Sequence, residues 1–206
     1  KHFKDQSKVY FTGNPCSEKA YNIKPAKKSD YGLSEDKRLV LIVMGSLGSF
    51  TINEKMVEYV YGFRNKNYEV MFVTGQSYYD KIKSRRFPDN VKVVPFVNEL
   101  PSLMKRCDLM ISRAGASTMS EIMALGIPTI FIPSPYVTNN HQFKNASDLV
   151  NRNAALMIEE KDLAKVSFIK TIDDLLNDKE KYDEIKRNVS ELGIIDSSSR
   201  IYEMLK

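Results

Sequence analysis

Short apolar runs alternate with amphipathic segments along most of this chain, and this rhythm constrains the fold more than any other feature. From Leu39 onward each run is four to six residues long, the length of a strand buried on both faces. Such runs separated by helical segments indicate strand–helix units and a parallel sheet. The predicted strands are Leu39–Met44, Glu69–Thr74, Val91–Pro95, Asp108–Ser112, Thr129–Ile132 and Ala155–Ile158.

Amphipathic segments between these runs have the composition of helices. Those between the strands are Ile52–Asn65, Tyr78–Arg85, Leu100–Arg106, Thr118–Leu125 and Asn140–Asn151. Three more predicted helices follow the last strand, namely Lys161–Leu176, Glu180–Leu192 and Ser197–Lys206. The predicted fold class is therefore α/β, a Rossmann-like doubly wound parallel sheet with a helical carboxyl-terminal tail.

Residues 1–35 do not follow this rhythm. Lys8–Thr12 predicts a single strand, the residues from Gly13 to Pro15 end it, and Tyr21–Glu35 is polar enough to predict a linker. The chain opens on Lys1 rather than Met, so we expect it to begin within a longer protein. The predicted division is the end of a preceding domain with its hinge in residues 1–35, and one domain in residues 36–206.

Composition excludes several classes of function. The net charge is +5, but lysines and acids are interleaved, and the only short basic run, Lys81–Arg86, is too small to predict a nucleic-acid partner. No apolar run approaches the roughly 18 residues needed to cross a bilayer. Cys16 and Cys107 lack the spacing of metal ligands, which predicts no metal site and a reduced, cytoplasmic protein.

The stretch from Arg113 to Glu121 is the strongest candidate for a binding site. It leads from a buried strand into a helix through small residues, among them Gly115, that let a ligand approach the backbone. Free amides and the dipole at a helix start attract phosphate oxygens, and Glu121 could accept from sugar hydroxyls. The alternative is a capping box in which Thr118 caps the helix and Glu121 reaches back to it.

Two further loops follow predicted strands at the edge where open parallel sheets bind ligands. Met44–Ser49 has the position of a phosphate-binding turn, although it matches neither common nucleotide-binding fingerprint, and Ser46 could donate to a phosphate or cap the next helix. Pro133–Gln142 carries neutral hydrogen-bonding groups that suit sugar hydroxyls, or forms an ordinary polar loop. His141 lacks the companions that a metal site requires.

Four segments, in their order and spacing, resemble the carboxyl-terminal half of the MurG family of N-acetylglucosaminyltransferases. They are Gly45–Gly48, Pro95–Val97, Ser112–Glu121 and His141–Ala146. Thr12–Pro15 resembles the hinge of that family, so the resemblance extends from about residue 8 to the end. It implies one half of a two-domain GT-B glycosyltransferase, with residues 36–206 as the domain that binds the UDP-sugar donor.

The resemblance also implies which residues hold the donor, UDP-N-acetylglucosamine. Ser46 and the helix start would contact its diphosphate, the backbone of Val97 its uracil, Glu121 its ribose hydroxyls and Gln142 its sugar. The implied donor-binding residues are Gly45, Ser46, Gly48, Phe96, Val97, Ala116, Ser117, Thr118, Glu121, Gln142 and Asn145. Cys16-Ser17 stands where many relatives carry an arginine that contacts uracil.

In this family the other domain binds the lipid-linked muramoyl-pentapeptide acceptor and carries the candidate general base. The resemblance therefore implies no catalytic residue and no cofactor in this segment, and we expect the segment alone to be inactive. The complete protein would be peripheral on the cytoplasmic face of the membrane. Alternatives are a different UDP-sugar glycolipid transferase, a UDP-N-acetylglucosamine epimerase, or a non-catalytic binding subunit of a split transferase.

Overall fold

Six parallel strands form a single sheet in the computed structural model, which describes residues 5–45, 50–164 and 166–206. The strands are β1 (Leu39–Val43), β2 (Glu69–Val73), β3 (Val91–Val94), β4 (Leu109–Ser112), β5 (Thr129–Phe131) and β6 (Leu156–Met157). Their order across the sheet is β3-β2-β1-β4-β5-β6, and every pairing is parallel. The predicted doubly wound α/β fold is confirmed.

Helices connect the strands and form the carboxyl-terminal tail. They are α1 (Pro15–Asn22), α2 (Phe50–Val60), α3 (Gln76–Ile82), α4 (Leu100–Met104), α5 (Ala116–Leu125), α6 (His141–Val150), α7 (Phe168–Asn177), α8 (Lys179–Glu191) and α9 (Ser197–Met204). Short 3-10 helices cover Gln6–Lys8, Lys28–Tyr31, Tyr61–Phe63 and Thr138–Asn140. The three predicted tail helices are confirmed, but α7 begins at Phe168 because residues 160–164 form turns instead. No helix in the described ranges is long and apolar enough to cross a membrane.

Apolar side chains cover both faces of the sheet, which explains why its central strands are mostly apolar rather than alternating. Val40 and Ile42 of β1 belong to one core cluster, while Leu39, Leu41 and Val43 belong to the cluster on the other face. Successive side chains of a strand point to opposite faces, so a strand covered by helices on both sides has no polar face. The buried sheet thus gives the loops at its carboxyl edge a rigid base.

The prediction of a strand at Lys8–Thr12 is wrong. The chain forms the 3-10 helix Gln6–Lys8 and then irregular structure, with Tyr10 and Phe11 largely exposed. A strand is stable only when its backbone groups pair with a neighbour, and none of the described pairings involves this segment. An apolar composition alone therefore does not make this segment a strand, because no neighbouring strand pairs with it in the described residues.

Residues 14–35, which include the predicted linker, contain more regular structure than their composition suggested. Asn14 caps α1 by accepting from the amide of Cys16 at 3.0 Å, and Pro15 occupies the start of the helix. Asn14-Pro15 is therefore a helix start rather than only the end of a strand and part of a hinge. Downstream, Leu33 is buried in the core, and the amide of Ala26 donates to the carbonyl oxygen of Ser102 at 3.0 Å.

Contacts between α1 and the last helix hold the two ends of the chain together. The Ser17 hydroxyl lies 2.6 Å from the carbonyl oxygen of Ile194, and the amide of Ser198 donates to the Glu18 carboxylate at 2.7 Å. Segment 15–35 is thus packed onto the sheet domain in this structure. Its assignment to the end of a preceding domain and a hinge stays a prediction.

Candidate functional site

A cleft of about 730 Å³ lies at the carboxyl edge of the sheet. The strand order reverses between β1 and β4, and open α/β sheets bind ligands where such a reversal separates the loops. The loops after β1, β2, β3, β4 and β5 all contribute to its wall. Six of the predicted donor-binding residues line it, namely Gly45, Phe96, Val97, Thr118, Glu121 and Gln142.

The start of α5 forms the centre of this wall. The amide of Met119 donates to the carbonyl oxygen of Gly115 at 2.9 Å, so the amides of Ala116, Ser117 and Thr118 precede the first bond of this helical ladder. None of these three amides donates to another residue in the described parts of the chain. Together with the helix dipole they favour an anion here.

The capping-box alternative for this turn is wrong. The N-cap residue is Gly115, with extended dihedrals and no side-chain cap, so Thr118 is the third residue of the helix rather than its cap. In a capping box, the threonine would satisfy one of the first amides. The helix starts two residues earlier than the sequence predicted, which leaves Glu121 directed to the cleft instead of its own helix start.

Glu121 is half-buried and accepts no hydrogen bond from the described residues. Burial raises the pKa of its carboxyl group, an effect that nearby Lys19 opposes. Burying an ionised group without a partner is unfavourable, so its presence at a cleft is typical of a binding residue. The vacant acceptor positions of this carboxylate match the hydroxyl donors of a sugar.

Glu121→Gln is expected to stabilise the folded protein at neutral pH, because it removes a half-buried charge. A carboxyl whose pKa is raised by folding contributes stability that is present below its unfolded pKa and lost as the pH rises through the folded pKa. The gain in melting temperature should therefore be about 1–3 °C near pH 7.5 and vanish near about pH 4. Thermal unfolding of both proteins across this range tests it, and a destabilised variant at neutral pH would contradict it.

Val97 and Phe96 line the cleft in different ways. Val97 is buried, whereas Phe96 is 67% exposed beside it. Glu99 follows in the left-handed region, with a φ of 49°, and places a second carboxylate in the cleft wall. Glu99 was not among the predicted site residues, although its position after β3 was a usable signal.

Gln142 and Asn145 differ in what their side chains already contact. Gln142 accepts from the amide of Ser134 at 2.9 Å, which leaves its amide nitrogen as a donor toward the cleft. Asn145 donates to the carbonyl oxygen of Ala114 at 3.1 Å and, with Ala116, lines a separate cavity of about 330 Å³. The structure thus brings Gln142 into the cleft and uses Asn145 to connect α6 to the turn.

The remaining predicted donor-binding residues are Ser46, Gly48 and Ser117. The Ser117 side chain is exposed and lines neither cavity. Ser46 and Gly48 lie outside the described residues, and of that loop Met44 and Gly45, the latter with a φ of 99°, are seen in the cleft wall. The described ranges hold no group of three His, Cys, Asp or Glu residues able to bind a metal ion.

A buried ion pair supports the turn from behind. The Arg113 guanidinium is 2.8 Å from the Glu160 carboxylate, and their side chains are 7% and 6% exposed. Arg113 also donates to the carbonyl oxygen of Ile132 at 3.0 Å. Arg113 directly precedes the turn and lines the cleft, so the ion pair connects the end of β4 to the segment after β6, and the bond to Ile132 connects it to the end of β5.

Comparisons with known proteins agree with this geometry. Residues 39–201 match the glycosyltransferase family 28 C-terminal domain. The chain is 44% identical over 210 residues to the UDP-N-acetylglucosamine--N-acetylmuramyl-(pentapeptide) pyrophosphoryl-undecaprenol N-acetylglucosamine transferase of Bacillus cytotoxicus. It is 40% identical to the protein of the same name from Bacillus pumilus. All of this chain matches, but it spans only 57% of each relative.

Solved structures show the same fold. MurG from Acinetobacter baumannii superposes with a TM-score of 0.71 at 21% identity, covering 90% of this chain and 54% of that one. A putative UDP-N-acetylglucosamine 2-epimerase from Listeria monocytogenes has a TM-score of 0.65 at 17% identity, covering 98% and 54%. The fold is therefore shared across different activities, and the resemblance to the carboxyl-terminal half of MurG is confirmed by the sequence matches. The chain belongs to glycosyltransferase family 28 and contains the carboxyl-terminal domain of that family.

Proposed function

We propose that this chain is the donor-binding half of an inverting glycosyltransferase. The complete enzyme would move N-acetylglucosamine from UDP-N-acetylglucosamine to a lipid-linked muramoyl-pentapeptide, the step from lipid I to lipid II in peptidoglycan synthesis. The observation that carries the proposal is that Gly115 and Thr118, at the start of α5, line the same cleft as Glu121, whose carboxylate accepts no hydrogen bond from the described residues. The names of the Bacillus relatives support the choice of sugar and acceptor.

The start of α5 would stabilise the leaving group. When the sugar departs, negative charge develops on the UDP diphosphate, and amides already directed to that position need no reorganisation to stabilise it. The amides of Ala116, Ser117 and Thr118 precede the helical ladder and would take this role. Ser46 and Gly48 of the loop after β1 would complete the diphosphate site.

The order of the loops along the cleft would assign the uracil, the ribose and the sugar of the donor to different residues. Val97, on the loop after β3, would meet uracil through its backbone, with Phe96 beside it. Glu121 would accept from both ribose hydroxyls. Gln142 would donate its free amide nitrogen to the sugar at the opposite end, and Asn145 would support it from α6.

Transfer would require groups that this cleft does not supply. An inverting reaction needs a general base on the acceptor hydroxyl. The carboxylates among the described cleft residues are Glu99, beside Val97, and Glu121, which we assign to ribose. We therefore propose that the other domain provides the base, the acceptor site and the contacts with the cytoplasmic face of the membrane.

Titration calorimetry with UDP-N-acetylglucosamine tests the proposal. The wild-type chain should bind, and Glu121→Ala should bind about 10-fold more weakly or worse, because hydrogen bonds to a charged group contribute about 1.5–3 kcal/mol. Glu99→Gln removes a carboxylate charge from the same cleft and should not weaken binding. No binding by the wild type would sink the proposal, and equal binding by Glu121→Ala would remove the ribose assignment. Turnover of a lipid-linked acceptor by this chain alone would contradict its predicted inactivity.

A further inference from the structure

The loop between β5 and α6 presents an aromatic ring at the rim of the cleft. Tyr136 is 77% exposed, while Ser134 and Val137 on either side of it line the cleft. A ring this exposed contributes little to the core, because most of its apolar surface remains in water. Its position at the rim leaves the ring accessible to a ligand that enters the cleft.

Hydrogen bonds hold this loop in a defined conformation. The Gln142 side chain accepts from the amide of Ser134 at 2.9 Å, and the amide of Asn140 donates to the carbonyl oxygen of Val137 at 3.2 Å. Asn139 and Asn140 have φ values of 55° and 51°, in the left-handed region that asparagine tolerates better than most residues. The local sequence and the Gln142 contact together fix the path of the backbone on both sides of Tyr136.

Strand order identifies which end of the cleft this loop forms. β3 and β5 are four strand positions apart, with β2, β1 and β4 between them, so their loops are separated by roughly 19 Å. If Val97 binds uracil after β3, the donor extends across α5 and its sugar lies at the β5 end. This step rests on the proposed function. The acceptor must approach the donor sugar there, past the rim that carries Tyr136.

We infer that Tyr136 is an acceptor-binding residue whose ring stacks against the apolar face of the acceptor sugar. A pyranose ring presents C–H groups on one face, and the negatively charged face of an aromatic ring attracts them. Tyrosine combines a large apolar face with a polar end and loses little rotamer entropy on binding. Gln142 then has two roles, because it faces the donor sugar and also fixes the loop that positions Tyr136.

Steady-state kinetics of the full-length enzyme test this inference. Tyr136→Ala should raise the KM for a short-chain lipid-linked acceptor roughly 3- to 10-fold, the range expected for loss of one aromatic contact. The KM for UDP-N-acetylglucosamine should not change, because the donor does not contact this ring. Tyr136→Phe should retain wild-type kinetics, since it keeps the aromatic face.

Tyr136→Leu separates sugar stacking from simple apolar packing. We expect it to behave like Tyr136→Ala, because leucine lacks an aromatic face. Wild-type kinetics for Tyr136→Leu would overturn the inference in favour of packing against the other domain, and an unchanged acceptor KM in Tyr136→Ala would overturn it outright. A wild-type enzyme that transfers no N-acetylglucosamine would instead refute the proposed function, so the two failures are distinguishable.

Discussion

Thr118→Asp should lower the affinity for UDP-N-acetylglucosamine by roughly 100-fold or more while leaving the fold intact. Thr118 is the third residue of α5 and lines the cleft, so an aspartate there would face the diphosphate that we assign to this helix start. Two like charges about 4 Å apart repel by about 4 kcal/mol at an effective dielectric constant of about 20. Calorimetry with the donor measures the loss.

Thr118→Asp should have opposite effects on stability and on donor binding. An aspartate in the first turn interacts favourably with the helix dipole, so the free energy of unfolding should rise by about 0.3–1 kcal/mol. Thr118→Asn is the matched control, because asparagine has nearly the same shape as aspartate but no charge. This variant should retain most of the affinity for UDP-N-acetylglucosamine. If Thr118→Asp binds the donor as the wild type does, the diphosphate does not lie at α5.

Glu160→Ala should reduce the free energy of unfolding by about 3–5 kcal/mol. Arg113 and Glu160 are both more than nine-tenths buried, so the substitution removes a carboxylate that directly contacts a guanidinium in the interior. The bond from Arg113 to the carbonyl oxygen of Ile132 would remain but cannot neutralise the charge. Urea denaturation gives the difference through the shift in midpoint.

The neighbouring residue supplies the control for this measurement. Glu159 forms an ion pair with Lys161 at 3.0 Å, but their side chains are 37% and 70% exposed. Glu159→Ala should therefore change stability by about 1 kcal/mol or less, as solvent-exposed pairs do. Equal effects of the two substitutions would show that burial of the Arg113 pair does not decide its contribution.

Both experiments concern the same turn from opposite sides. Thr118 reports on the amides that face the cleft, and Glu160 reports on the ion pair that supports the turn from the interior. Arg113 is adjacent in sequence to the turn itself. A loss of the ion pair should consequently weaken donor binding as well, through displacement of the end of β4, from which the turn to α5 leads.

Much of the fold was predictable because its signals are local. Six apolar runs each became a strand within two residues of the predicted ends, and Gly126 ends α5 in the left-handed conformation that glycine favours after a helix. The same local rule failed at Lys8–Thr12, where an apolar run has no strand to pair with. Sheet formation requires a partner distant in sequence, and composition does not reveal one.

The candidate site residues were also predictable only where the signal is local in sequence. Glu121 and Gln142 follow strands at the edge where ligands bind, and both line the cleft. Asn145 occupies an equally suggestive position in sequence, but its side chain bonds to Ala114 and faces a separate cavity. The direction of a side chain depends on its neighbours from other helices and strands, and the spacing of residues in the sequence does not reveal those neighbours.

The sequence by itself determined the strand–helix rhythm, the small-residue turn after β4 and the membership of the family. Tertiary structure alone decided that the strand order reverses between β1 and β4, that α5 begins at Ala116 rather than Thr118, and that Arg113 pairs with Glu160. Hydrophobic periodicity shows, within a few residues, which side of a segment faces water and which side packs into the core. Strand order, helix start and ion pairing depend on contacts between segments tens of residues apart, which form only when the chain packs.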